Sequence, residues 1–307
     1  MDKKIAVVTQ SYKNDYKECK LLCESIDRFA SEISHFIFVN DEDADMFADL
    51  NYGKHKVYKK SVILPKYLIR LPWKIMGHHF HVSPFTIPVR EWIIQQICKL
   101  GVFEVIGKEF DVTLNIDSET VLMKPFRIDE LYKDGKWLMY RVPNINEPSH
   151  DDYCNAAYNL LKYTGKIDDI NKWNYMNTPV AFVRENTEAL LKTIGNGYIG
   201  GWKRHLCNTY RFSEYYTYAI FTEHYLHQKN HFITDKHVFP QIDISECEDV
   251  NDFNKKIELN LNNDFAFGVW LQKKDRKRLS EKYLSFDDIE KVIKNYWYSH
   301  NKKYDKA

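Results

Sequence analysis

Within the first 60 residues, apolar runs alternate with amphipathic stretches: Ile5 to Val8, a helical segment from Asp15 to Ala30, Phe36 to Val39, a short helix near Asp45 to Leu50, then Val57-Tyr58. This βαβαβ opening predicts a parallel sheet with helices on its faces, because parallel strands need a crossover connection. Ligands in such sheets gather beyond the carboxyl ends of the strands. Two loops there become candidates: Thr9-Gln10-Ser11-Tyr12 after the first strand and Asn40-Asp41-Glu42-Asp43 after the second. No Gly-x-Gly-x-x-Gly follows the first strand, and no Gly-x-x-x-x-Gly-Lys-Ser/Thr occurs anywhere. A bound phosphate would then be held by a metal or by Lys and Arg rather than by a glycine nest.

Composition narrows the class. With 44 basic against 43 acidic side chains, the chain lacks the basic excess of a protein that binds nucleic acid by neutralising phosphates. No apolar run approaches the roughly 20 residues of a membrane-spanning helix. Met1-Asp2-Lys3-Lys4 leads directly into the first strand with no room for a secretory leader, so a cytoplasmic location is expected. Six cysteines without metal-site spacing read as packing thiols. His78-His79-Phe80-His81 has no Cys or acidic partner at a zinc-like spacing, and a structural zinc site is rejected.

Further along, a proline-bounded segment leads to a predicted helix from Val89 to Val105, with Val89, Ile93, Ile97 and Leu100 as its buried stripe and Glu91, Gln95 and Lys99 opposite. An apolar run, Val112 to Ile116, then reads as a central strand ending in Asp117-Ser118-Glu119. Side chains alternate along a strand, so Asp117 and Glu119 would share a face and jointly hold a hard divalent cation such as Mn2+ or Mg2+. Helices are expected from Tyr153 to Tyr163, Glu188 to Ile194 and Glu214 to His227, with a strand from Pro179 to Val183. Ser213 suits the cap of the last helix, placing Glu214 in its first turn, where the helix dipole favours a charged carboxylate. Trp173, Tyr175 and Trp202 suit either sugar stacking or plain packing.

The segment Ile116-Asp117-Ser118-Glu119-Thr120-Val121-Leu122-Met123-Lys124-Pro125-Phe126 resembles the Asp-Ser-Asp-x-x-φ-x-x-Pro-Phe segment (φ apolar) of nucleotide-sugar-dependent glycosyltransferases with the GT-A fold. The chain looks most like a bacterial glycosyltransferase-like family long known only as a domain of unknown function, which also shows the Thr9 to Tyr12 pattern after its first strand. The stretches Cys19 to Phe29, Leu64-Pro65, Arg90 to Leu100 and Phe212 to Tyr218 extend the likeness, which covers roughly residues 4 to 275. Glu119 departs from the family's usual Asp by one methylene, which leaves Asp117 the safer metal ligand.

The resemblance implies a single GT-A-like (Rossmann-like) α/β domain over residues 1–272, with a mostly parallel central sheet flanked by helices, and a C-terminal helical tail over 273–307. It implies Glu214 as the base that deprotonates an acceptor hydroxyl; Asp117 and Glu119, with His237 as a late third ligand, around Mn2+ or Mg2+; and Thr9, Ser11, Tyr12, Asp41, Arg90, Gln95, Lys99, Asp117 and Ser118 around the nucleotide-diphosphate sugar. Its implied activity is sugar transfer to a bacterial surface polysaccharide or glycolipid acceptor, most simply with inversion. A retaining enzyme, a silent glycan- or nucleotide-binding module and a nucleotidyltransferase are the alternatives. The tail carries eleven Lys or Arg against six Asp or Glu, a net +5, whereas residues 1–272 carry −4. With Phe286, Ile289, Val292, Ile293, Tyr296 and Trp297 interleaved, it suits either docking on the domain or peripheral contact with an anionic membrane.

Overall fold

The computed structural model describes residues 4–125, 127–144, 148–166, 168–263, 266–271 and 284–304. The α/β class expected from the sequence is the one observed. Its central sheet holds β1 (Ile5–Gln10), β2 (Ser34–Val39), β3 (His55–Lys59), β7 (Val112–Asn115) and β13 (Val180–Val183) in the order β13-β7-β1-β2-β3. β7, β1, β2 and β3 run parallel, and β13 lies antiparallel against β7. Inside β1, β2, β7 and β13 nearly every residue is buried, as expected of a sheet covered on both faces, whereas in the edge strand β3 only His55 is.

The remaining strands form small sheets. β4 (Ile69–Arg70), β5 (Phe80–Ser83) and β6 (Thr86–Arg90) make an antiparallel meander; β9 (Tyr132–Lys133) and β14 (His231–Thr234) flank β10 (Lys136–Tyr140); β11 (Val142–Pro143) pairs with β12 (Trp173–Asn174). β8 (Thr120–Leu122) joins β16 (Gly268–Trp270) and β15 (Gln241–Asp243). The helices are α1 (Tyr16–Phe29), α2 (Glu91–Gly101), α3 (Ile128–Leu131), α4 (Pro148–Leu161), α5 (Asp168–Asn171), α6 (Arg184–Gly195), α7 (Gly201–Cys207), α8 (Glu214–His224), α9 (Val250–Leu261) and α10 (Phe286–Tyr304).

Contacts group the chain into two compact units. The first takes the segment ending at Gln10, Ser34–Ile116 and Leu131–Lys236; the second takes Ser11–Ile33, Asp117–Glu130 and the chain from His237. In the first, Ala6, Val8, Phe36 and Phe38 of the sheet belong to one apolar core with Ile94, Ile97 and Cys98 of α2 and Tyr216 and Ile220 of α8. Both helices are buried nearly all round, so they read as core elements rather than surface helices.

In the second unit, Ser25 of α1 accepts the Leu122 amide at 3.1 Å, and the Trp297 indole donates to the Leu122 carbonyl at 3.2 Å. Ile289, Val292, Ile293 and Trp297 are buried and Lys294 pairs with Glu24 at 2.8 Å, so the apolar face of α10 is occupied by its own unit. Those four side chains are therefore not available to a membrane. The basic run 273–278 lies outside the described residues. Among the described residues no helix is long and apolar enough to cross a membrane.

Two local expectations are corrected. The helix near Asp45 to Leu50 is replaced by short 3-10 turns at Asp41–Asp43 and Ala48–Leu50. The helix expected from Val89 begins at Glu91, because Thr86–Arg90 pairs with β5.

Candidate functional site

Strand order fixes where to look. β1 is flanked by β2 and β7, so the order reverses at β1/β7, and the carboxyl ends of those two strands mark the topological switch point where α/β sheets bind ligands. The backbone there is tied down: the Ile116 amide donates to the Val8 carbonyl at 3.0 Å, and the Thr9 hydroxyl donates to the Ile116 carbonyl at 2.9 Å. Thr9 has one proton, so it accepts from His35 Nε2 at 2.9 Å, and His35 Nδ1 accepts from His55 Nδ1 at 2.9 Å. Burial, and secondarily His55, hold His35 well below its ordinary pKa, consistent with a neutral ring. Thr9, expected beside the nucleotide, is instead a fully buried brace for the carbonyl that precedes Asp117.

Asp117 and Glu119 follow directly. They do not extend a strand: β7 ends at Asn115, and residues 117–120 turn, with the Thr120 amide donating to the Asp117 carbonyl at 3.0 Å. Strand alternation is thus not what pairs the carboxylates. Ser118 is buried, and its hydroxyl donates to Glu119 Oε2 at 3.4 Å. Half-buried Glu119 has its pKa pushed up to about 7, by desolvation first, then by Asp117 and Asp15, with a smaller push from Glu18. Asp15 and Glu18, at the start of α1, were not singled out from the sequence. Tyr12 belongs to the same group: burial, then Asp15, raise its hydroxyl pKa, and Glu119 and Glu18 add to the effect. The hydroxyls of Ser11 and Thr120 are buried and have no hydrogen-bond partner among the described residues. His237, the late third ligand of the sequence reading, is exposed.

The donor set fits a hard cation. Carboxylate and hydroxyl oxygens are the ligands Mg2+ and Mn2+ prefer, and a desolvated carboxyl with neighbouring acids is relieved by a divalent charge.

The first unit carries a different arrangement. Ser213 caps α8, its side chain accepting from the Tyr216 amide at 3.5 Å, and Glu214 opens the helix as expected. Glu214 is 2 % exposed, and its Oε1 lies 3.0 Å from Lys99 Nζ. Lys99 also donates to the Tyr215 hydroxyl at 2.8 Å. Lys99 is therefore buried inside an ion pair rather than displayed on a solvated helix face. Half-buried Gln95 is one turn away on α2, and Arg90 ends β6 with Nη2 3.2 Å from His78 Nε2. Tyr175 donates to Glu223 at 2.7 Å and the Arg141 guanidinium stacks on Trp173, which is the packing reading of those aromatics.

Beyond the ends of β2 and β3 lies a polar pocket of about 290 Å3, lined in part by Asp41, Lys60, Arg70 and His81. Asp41 accepts from the Ser61 amide at 3.2 Å. Buried Lys60 donates to Asn40 at 2.8 Å and pairs with Glu91 at 3.4 Å; Arg70 reaches Glu91 at 3.3 Å and also pairs with Glu42. Burial works to raise the Glu91 carboxyl, but Lys60, His81 and Arg70 hold it low; burial takes His81 down to about 4 although Glu91 opposes it. Of this network only Asp41 was picked out from the sequence as a binding residue. Asn40 and Glu42 share its loop, Glu91 reads only as part of a polar helix side and His81 only as part of a rejected zinc cluster, and Lys60 and Arg70 carry no local signal.

Among curated proteins none matches the sequence. Solved structures that resemble it include 4-diphosphocytidyl-2C-methyl-D-erythritol synthase from Anaerococcus prevotii DSM 20548, at 12% identity and a TM-score of 0.38 over 76% of this chain and 86% of that one. Mouse xyloside xylosyltransferase 1 in its apo form is similar at 11% identity and a TM-score of 0.40 over 78% and 88%. The family model of DUF6492, a family of unknown function, matches residues 4–266, and the chain belongs to that family.

Proposed function

We propose that the protein is a GT-A-type glycosyltransferase that moves a sugar from a nucleotide-diphosphate sugar to a hydroxyl of a bacterial surface glycan or glycolipid, with inversion at the anomeric carbon. The observation that carries the reading is the carboxyl of Glu119, raised to about 7 among Asp117, Asp15 and Glu18 where the chain leaves its central parallel strand. Asp117 and Glu119 would hold Mn2+ or Mg2+, which when bound supplies positive charge to a diphosphate leaving group. Ser11, Tyr12 and Ser118 stand in the same segments and are assigned to the donor. Asp41, with the pocket it lines, is assigned to the nucleoside, and Arg90 and Gln95 to the phosphates and sugar.

Glu214 is assigned the proton. The acceptor oxygen attacks the anomeric carbon, the bond from that carbon to the phosphate oxygen breaks with its electron pair leaving on the diphosphate, and the hydroxyl proton passes to Glu214. Lys99 offsets the carboxylate's buried charge and fixes its orientation through Tyr215. In this reading Lys99 is a positioning residue, not the cation on the leaving group. The test is a thermal-shift panel of UDP and GDP with and without Mn2+, followed by NMR of the product from whichever donor binds. Stabilisation by a nucleoside diphosphate only when Mn2+ is present, and a product of inverted configuration, are expected. Stabilisation by free glycans alone would replace the enzyme with a binding module, and release of pyrophosphate would replace it with a nucleotidyltransferase.

A further inference from the structure

Residues 50–90 contain no Asp or Glu, while they carry eight Lys or Arg. Inside this acid-free stretch the β4–β5–β6 meander projects an apolar tip. All seven residues from Pro72 to His78 are exposed, with Trp73 at 61% and Met76 at 93%. Ile69, Ile75, Phe85 and Ile87 are exposed as well, so six of the fourteen large apolar side chains exposed among the described residues fall within residues 69–87. Apolar clustering of this kind on a protein surface marks an interaction site rather than scatter.

The backbone of the tip points the same way. Ile75 and His78 exchange both backbone hydrogen bonds, at 2.9 and 3.0 Å, around a two-residue turn in which Met76 has φ +51° and Gly77 φ +80°. Turns of this type favour Asn or Gly at both central positions, because a side chain at positive φ is strained. Here a methionine occupies the strained apex and is almost wholly exposed, so neither turn geometry nor core packing accounts for it. Trp73 and Lys74 share the same exposed turn segment. Behind the tip lies a cavity of about 430 Å3 whose lining includes Met76, Phe80, Ile87 and Trp92 together with Arg90 and Arg211.

We infer that this meander docks the protein on an anionic lipid surface, with Trp73, Ile75 and Met76 entering the headgroup region and Lys74 facing lipid phosphates. Lys60 and Arg70 of this stretch are paired with Glu91 and Glu42, so the charge available to a surface is that of exposed lysines such as Lys74. Tryptophan favours the lipid boundary, and exposed cations are drawn to a negative leaflet. The cavity, lined largely by apolar side chains, suits one acyl chain; Arg211 on its lining is held by Asp152 at 2.7 Å. An acidic protein would match the charge but not an apex of Met and Trp presented on a narrow hairpin.

The full chain is floated with vesicles of phosphatidylcholine alone and of phosphatidylcholine mixed with phosphatidylglycerol. Co-flotation with the mixed vesicles only, weakened by salt, is expected. Trp73→Ser combined with Met76→Asn should drop the floated fraction to the neutral-vesicle level without lowering Tm, since Asn suits the turn better than Met. Lys74→Glu should give an intermediate loss. Failure of the native chain to float, or undiminished flotation of the double variant, overturns the inference. So does light scattering that finds a dimer in the native chain and a monomer in the variant, which would make the tip a face between copies.

Discussion

The carboxylates around Glu119 and the carboxylate of Glu214 both carry negative charge out of bulk water, on opposite terms. Glu214 is almost completely buried, and a lysine stands 3.0 Å away. Glu119 is only half-buried, yet its carboxyl is raised to about 7, by desolvation first and then by the neighbouring acids Asp117, Asp15 and Glu18. A buried charge with its counter-charge in place is a finished structural element, and removing one partner strands the other. A group of neighbouring acids that raises one of its own carboxyls is the kind of donor set a divalent cation relieves.

Asp117→Asn gives the largest expected effect. If the cluster is a cation site serving the leaving group, this nearly isosteric change should cut kcat by about a thousandfold or more. Release of nucleoside diphosphate is the readout, and unchanged turnover removes the metal role. The change in the other region should act on stability instead. Lys99→Met leaves Glu214 buried without its counter-charge and should cost about 3–5 kcal/mol in urea unfolding, while Lys99→Met combined with Glu214→Gln should recover much of that loss. Glu214→Gln by itself tests the chemistry: loss in kcat with little change in donor KM is expected of a base, and equal stability loss without that split would leave the pair purely structural.

The pH dependence sharpens the same contrast. Glu119 has a folded value of about 7 against an ordinary value of 4.5. From 4.5 to 7 the unfolded chain releases this proton while the folded chain keeps it, so stability falls as pH rises through that window and levels off above it. The full shift corresponds to about 3 kcal/mol, and about 2 kcal/mol after allowance for the partial exposure of Glu119. Mn2+ favours the ionised carboxylates, so its stabilising effect should grow with pH over the same range and shrink in Glu119→Gln. A flat profile in the native chain, or Mn2+ stabilisation independent of pH, would mean that the acids are not coupled as described.

Much of the fold was legible in the sequence. The alternation over residues 4–60 gave the parallel order of β1, β2 and β3 because strand and helix periods differ so strongly. Val89 and Arg90 misled because Val89 sits four residues before Ile93, in step with the helix, while its pairing with His81 on β5 decides its state and is not local. Lys99 was placed on a polar helix side, since nothing local signals that Tyr215 and Glu214, more than a hundred residues later, bury it. Asp15 and Glu18 went unnoticed for the same reason. Asp117 and Glu119 were found, but by strand alternation, where a turn actually brings the two charges together.

The smallest expected effect concerns how Glu214 is held. Ser213 Oγ accepts the Tyr216 amide at 3.5 Å, the long limit for such a bond, so Ser213→Ala should cost only about 0.5 kcal/mol, the low end for a helix cap. The Thr217 hydroxyl and amide both bind the Ser213 carbonyl, at 2.7 and 2.9 Å, and would hold the first turn without the cap. Glu214 would then stay beside Lys99, and kcat in Ser213→Ala should match the native value. A loss in kcat exceeding the loss in stability would mean that the cap, not the ion pair, aims the carboxylate, and that the two buried acids differ less in their support than their charges suggest.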